Sequence, residues 1–182
     1  MQDLDRDPII NVIHRQIKES IRITLDNDCW GAAVVLTYSG IDAMAYLNMP
    51  ENQDDVTRND FVSWVERYMN FPCREKLTGL DLYGARCGML HQFGTASRLN
   101  REGKCRQIGY LPECKPEVIY NPKVSTDLVM LSVKGLAEAF FSGIDRFLID
   151  LFANSEKARV AEKRFPNLVH VLKKKKDNKI NS

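Results

Sequence analysis

The sequence predicts a mainly α protein, an up-and-down helical bundle with a small β hairpin or irregular arm before its last long helix. Three observations carry this. Apolar residues recur at helical spacing, as in Ile9, Ile13, Ile17, Ile21 and Leu25. Segment 30–48 is apolar nearly all round, the character of a helix in the middle of a bundle. Strand-like pieces are confined to 105–131, where Pro112, Pro116 and Pro122 interrupt them.

The first helix is expected over 8–26, with Pro8 in its first turn and Arg15, Lys18, Glu19 and Arg22 on its wet face. The second spans 30–48 and stops at Asn48 and Pro50. A third, 57–70, turns Phe61, Val62, Trp64, Val65 and Tyr68 inward, and Phe71-Pro72 breaks it. A short turn around Arg74 leads to Gly79 and a fourth helix, 80–93, with Gly94 as its left-handed stop. Strand-like stretches follow at 107–111, 118–120 and 128–131. The last long helix covers 134–152, with Leu136, Phe140, Ile144, Phe147, Leu148 and Leu151 as its core stripe. A shorter charged helix, 156–164, comes next. Residues 1–154 thus read as one helical domain with its arm at 95–131. Residues 155–182 read as a charged helix and a basic, disordered tail.

A chain of 182 residues, 44% apolar and 27% charged, sustains one good hydrophobic core and has an ordinary globular composition. The longest apolar stretch, 29–50, contains Asp42, Ser39 and Thr37, so it reads as a buried helix and not a membrane span. The acidic start (Asp3, Asp5, Asp7) has no signal-peptide pattern. Five irregularly spaced cysteines without C-x-x-C suit free thiols in a reducing cytoplasm. Net charge is +2, but 157–182 carries +7 and the remainder −5. Such an end, with Lys173 to Lys176, either holds a polyanion or simply solubilises the chain.

Candidate chemistry concentrates in 80–93. On a wheel at about 100° per residue, Leu82, Tyr83, Ala85, Met89 and Leu90 share one arc, and Arg86 falls among them. A guanidinium there needs a partner, and Asp42, alone among the charged residue types within 29–50, can supply it. Gly84, Gly88 and His91 fall on the other side with Cys87 beside them. Two glycines let a second backbone approach, from another copy of the chain or from a tight crossing within it. His91 near a helix C-terminus suits a capping role as well as a chemical one. Tyr83 either packs or stacks on a base.

The run Arg86-Cys87-Gly88-Met89-Leu90-His91 fits R-x4-H, and its context, "LTYSGIDAMAYL" at 36–47 and "DLYGARCGMLHQFG" at 81–94, resembles the HEPN domain superfamily over 8–152. The resemblance implies an all-α bundle that dimerises through its 80–93 helix. It also implies a metal-independent endoribonuclease of toxin–antitoxin or defence systems, or a non-catalytic nucleotide- or protein-binding module. Arg86 and His91 would be the catalytic pair, Asp42, Cys87 and Tyr83 their support, with no metal and no cofactor. RNA, a second copy and an antitoxin or other protein would be its partners. Ribonuclease members often carry Asn after the Arg, where this chain has Cys87. The chemistry is coherent. An imidazole with a pKa near about 6.5 can take or give the protons of 2′-OH attack, and a guanidinium suits the phosphate charge that develops. Cys87, His91, Cys105 and Cys114 offer a competing four-ligand metal site, although C-x8-C lacks the usual knuckle. No Gly-rich phosphate loop is present, since 103–109 lacks the strand–glycine–helix setting.

Overall fold

The computed structural model describes residues 8–71 and 77–168. The expected turn at Arg74, Cys73, His170 and the Lys173 to Lys176 run lie outside the described residues. The structure is mainly helical with a small sheet, and among the described residues no helix is long and apolar enough to cross a membrane.

The first expected helix is three pieces end to end: α1 (Pro8–Val12), a π-helical turn (Ile13–Lys18) and α2 (Glu19–Asp26). The π turn places Lys18 in the interior, where its Nζ meets Asp145 Oδ1 at 2.5 Å. Helix α3 (Trp30–Asn48) is the bundle's centre and packs against α2, α4 (Arg58–Tyr68), α5 (Gly79–Gln92), α7 (Val133–Ala153) and α8 (Ser155–Arg164). That position explains its all-round apolar composition. Trp64 is fully buried on α4 and meets Phe140 and Phe147 of α7 edge-on, with centroids 5.9 and 6.0 Å apart.

Capping residues set the helix starts. Thr57 and Asp60 form a capping box at α4, and Thr78 and Asp81 another at α5, each satisfying two backbone donors. Ser132 accepts from Gly135 N–H at α7, and Asn154 accepts from Lys157 N–H at α8. Helix α8 belongs to the same body. Val160, Ala161 and Arg164 are buried, and the Arg164 guanidinium donates to the carbonyls of Met49, Pro50 and Gln53 at the end of α3. These bonds satisfy the carbonyl at the C-cap of α3 and two in the turn that follows it.

The arm is more than the expected hairpin: its last two strands pair antiparallel, and the first joins them in parallel. After a single-turn helix, α6 (Arg98–Arg101), come β1 (Gln107–Leu111), β2 (Val118–Ile119) and β3 (Leu128–Ser132), ordered β1-β3-β2. Strand β3 pairs parallel with β1 (Ile108 opposite Val129) and antiparallel with β2 (Val118 opposite Leu131). Pro112 and Pro116 offer no N–H to a ladder, so the chain leaves β1 without turning back on it, and the later strand takes the central place. Ile108, Val129 and Leu131 are buried, and the Tyr110 hydroxyl lies 2.7 Å from that of Tyr38 on α3. Burial pushes both phenols above their ordinary range. The sheet is therefore joined to the helical core.

Candidate functional site

Helix α5 carries the candidate residues, and burial divides it cleanly. Asp81, Leu82, Gly84, Ala85, Gly88 and Met89 are buried. Leu80, Tyr83, Arg86, Cys87 and Leu90 are half-exposed, and His91 is exposed. At about 100° per residue the uncovered positions from Leu80 to His91 form one arc of about 140°, with Arg86 at one border and His91 at the other; exposed Gln92, the last residue of the helix, falls outside it. Arg86 is thus at the edge of the apolar face and not in its middle, because Tyr83 and Leu90 are not buried.

On the glycine side, the second of the two alternatives, a tight crossing within the chain, is the one found. A Cβ on Gly84 would meet the Cys105 sulfur well inside 3.0 Å, and one on Gly88 would come within 2.7 Å of the Gly94 carbonyl oxygen. The tight crossing is intramolecular: residues 94–105 of this chain cover that face, which therefore takes no second copy. Asn100 fixes the segment. Its side chain accepts from Ser97 N–H and Oγ–H at 2.7 and 2.8 Å and donates to the Arg106 carbonyl at 2.8 Å.

Asp42 on α3 and Arg86 form an ion pair. Nε and Nη2 of Arg86 lie 2.8 and 2.7 Å from Asp42 Oδ2, and both side chains are about one-fifth exposed. Burial pushes the Asp42 carboxyl above its ordinary range, with the Arg86 fork pulling against it. The Asp42 carboxylate outweighs desolvation at Arg86 and keeps that guanidinium charged. Tyr83 packs with its ring edge-on to Phe61 (centroids 5.5 Å), and the guanidinium carbons of Arg86 and Arg58 lie 5.9 and 5.8 Å from its centroid. Burial and the neighbouring Cys87 raise the Tyr83 phenol, against the pull of the two arginines.

The helix ends at Phe93, not Gly94. Phe93 adopts φ 50°, ψ 34°, and the N–H groups of Phe93 and Gly94 close back on the Met89 and Gly88 carbonyls. Its ring lies over Gly31, where a Cβ would sit 2.5 Å from the ring. His91, Leu90 and Phe93 with Ala32, Val35 and Leu36 of α3 line a shallow apolar depression.

The four-ligand metal alternative does not assemble. Among the described residues no group of three or more His, Cys, Asp or Glu side chains is arranged to hold a metal ion. Cys29, Cys87, Cys105 and Cys114 are free thiols. Cys105 packs under Gly84, and burial, then the Asp81 charge, push its thiol up to about 11, so it is neutral near pH 7.

Two residues that sequence reasoning missed shape the site. Asp81 is nearly fully buried. Besides capping α5, it accepts from Arg106 N–H at 2.8 Å and Arg106 Nη2 at 2.6 Å, tying the helix start to β1. Burial alone would raise this carboxyl, but the Arg106 and Thr78 hydrogen bonds outweigh it and hold it below its ordinary range. Arg58 is exposed beside Tyr83. Its signal was available: it is the first residue of α4, where the helix dipole disfavours a cation.

The chain matches no protein-family model, no curated protein sequence and no solved structure.

Proposed function

We infer that the chain is a metal-independent endoribonuclease of HEPN type, acting as a homodimer in the cytoplasm in a toxin–antitoxin or defence setting. One observation supports this above the rest: Arg86 and His91 border the uncovered arc that runs from Leu80 to His91 on α5, with half-exposed Leu90 and Tyr83 between them. A second copy laid on that strip would put two arginines and two histidines around a shared cleft. His91 would move the protons of 2′-OH attack and 5′-oxygen departure. Arg86 would take the phosphate's developing charge, and Asp42 would hold its side chain in place. Cys87 stands on the same strip. A second reading, a non-catalytic binding module, is favoured by the same ion pair: two nitrogens of the Arg86 fork are already engaged by Asp42.

The test incubates wild type, Arg86→Ala and His91→Ala with mixed cellular RNA in EDTA, with unfolding and sedimentation measured in parallel. Cleavage by a dimeric wild type alone, with all three folded, is expected. No cleavage by any of them would put the binding module first, and cleavage by a monomer would refute the shared cleft.

A further inference from the structure

A cleft of about 640 Å³ opens at the N-terminal end of α5, and Thr78, Asn100, Arg101, Lys104, Arg106 and Asp127 are among its walls. Its charges are unequal in availability. Asp81 is spent on Arg106 and the α5 cap. Arg106 is held in turn by Asp81, with its guanidinium carbon 4.6 Å from the Tyr120 ring centroid. Lys104 pairs with Glu102 at 2.7 Å, but both side chains are well exposed, and such pairs exchange readily for another anion. Arg101 is exposed and has no carboxylate within ion-pair distance among the described residues. Asp127 is exposed on the same wall and leaves the cleft cationic on balance.

The cleft continues into the Arg86 face. Leu80 lines it and also begins the uncovered strip of α5. Arg58 adds a second cation to the strip, an exposed one, with its guanidinium carbon 5.8 Å from the Tyr83 ring centroid. Arg58, like Arg101, has no carboxylate partner among the described residues. Guanidinium and ammonium groups thus form a row in two parts that meet at Leu80: Arg86 and Arg58 beside Tyr83 on the strip, and Arg101 and Lys104 in the cleft wall. Its aromatic member, Tyr83, is occupied by Phe61 and two arginines, so the row has charge to offer and no free stacking face.

We propose that this row is a phosphate track: a single RNA strand leaves the Arg86–His91 face along Arg58 and seats its phosphates on Arg101 and Lys104. Recognition is of the backbone and not of base sequence, because the exposed groups that make the row are cations suited to phosphate. The track rests on the ribonuclease reading for the identity of its ligand, and its test separates the two.

Fluorescein-labelled dodecauridylate is titrated in EDTA against His91→Ala protein, which cannot cut by the proposed mechanism. The same background carries Arg58→Gln, the pair Arg101→Gln and Lys104→Gln, or Arg159→Gln on α8 as a control matched in charge to Arg58→Gln. Each track variant should weaken binding several-fold. It should also flatten the slope of log affinity against log salt by about 0.7 for each phosphate left without its cation, with the control unchanged. Unchanged affinity and slope in folded track variants, or equal weakening in the control, overturns the track even where Arg86 and His91 cut RNA. Binding that depends on Arg58 and Arg101 in a wild-type protein that cuts nothing keeps the track and refutes the nuclease.

Discussion

Gly84 is the point where the arm is locked onto the site helix, and replacing it gives a prediction with a built-in rescue. Gly84→Ala alone should gain about 1 kcal/mol from helix propensity. The new methyl, however, lands well inside 3.0 Å of the Cys105 sulfur, against a segment pinned by Asn100. Overpacking of that kind costs about 1–3 kcal/mol, so a net loss of about 1 kcal/mol is expected. Cys105→Ala alone removes a half-buried sulfur and its 3.3 Å contact with Asn100 Nδ2, costing about 1 kcal/mol. In the double variant the new methyl occupies the space the sulfur left, the propensity gain survives, and stability should return close to wild type. The coupling is then about 2 kcal/mol in favour of the pair. Urea unfolding followed by circular dichroism measures all four proteins. Additivity within about 0.5 kcal/mol would refute the packing of Cys105 under Gly84. Gly88→Ala is the internal control. Its methyl meets the backbone carbonyl of Gly94 at 2.7 Å, which no side-chain change can remove, so it should stay destabilised in any background.

The Asp42–Arg86 pair should show itself as a coupling. Either residue changed to Ala strands its partner and costs about 2 kcal/mol, less than a fully buried pair because both remain one-fifth exposed, while the double change costs less than the sum. A cycle in urea with no coupling would mean the pair does not form in solution. Asp81 gives a pH signature. Its folded pKa lies below the ordinary value, so its contribution is present above about pH 4 and is lost as pH falls through the folded value. Asp81→Asn should cost about 3 kcal/mol at pH 7, with the gap to wild type narrowing below pH 4. A gap constant from pH 7 to pH 3 would contradict the Arg106 bridge.

Much of the helical fold was legible because periodicity reports burial directly. The Asp42–Arg86 pair was legible for a related reason: a charge inside an apolar segment must be answered by another, and the candidates were few. The failures share a different cause. Tyr83 and Leu90 are apolar enough to count as core, yet α3 and α4 cover them only in part, and this moved Arg86 from the middle of the buried arc to its edge. The α5 stop falls on Phe93, whose ring lies over Gly31, more than sixty positions earlier, a contact that local preference for Gly94 cannot report. The parallel β1–β3 ladder joins strands separated by β2, a non-local pairing that alternation within each strand cannot reveal.

These corrections bear on the site more than on the fold. If the glycine side of α5 were open, a second copy would have two faces to choose from, and one of them would leave Arg86 far from the contact. The segment from Gly94 to Cys105 closes that side, and α3 and α4 close the side opposite. What remains is the strip from Leu80 through Tyr83 and Cys87 to Leu90. Residues five apart on a helix diverge by about 140°, which keeps Arg86 and His91 from converging within one chain. The same divergence puts both at the rim of anything laid on the strip, where a ligand can still reach them. Asp42 then holds Arg86 at that rim from below, and the strip between the two residues is apolar enough to be covered. The divergence that argues against a one-chain active site is thus what the two-chain reading requires.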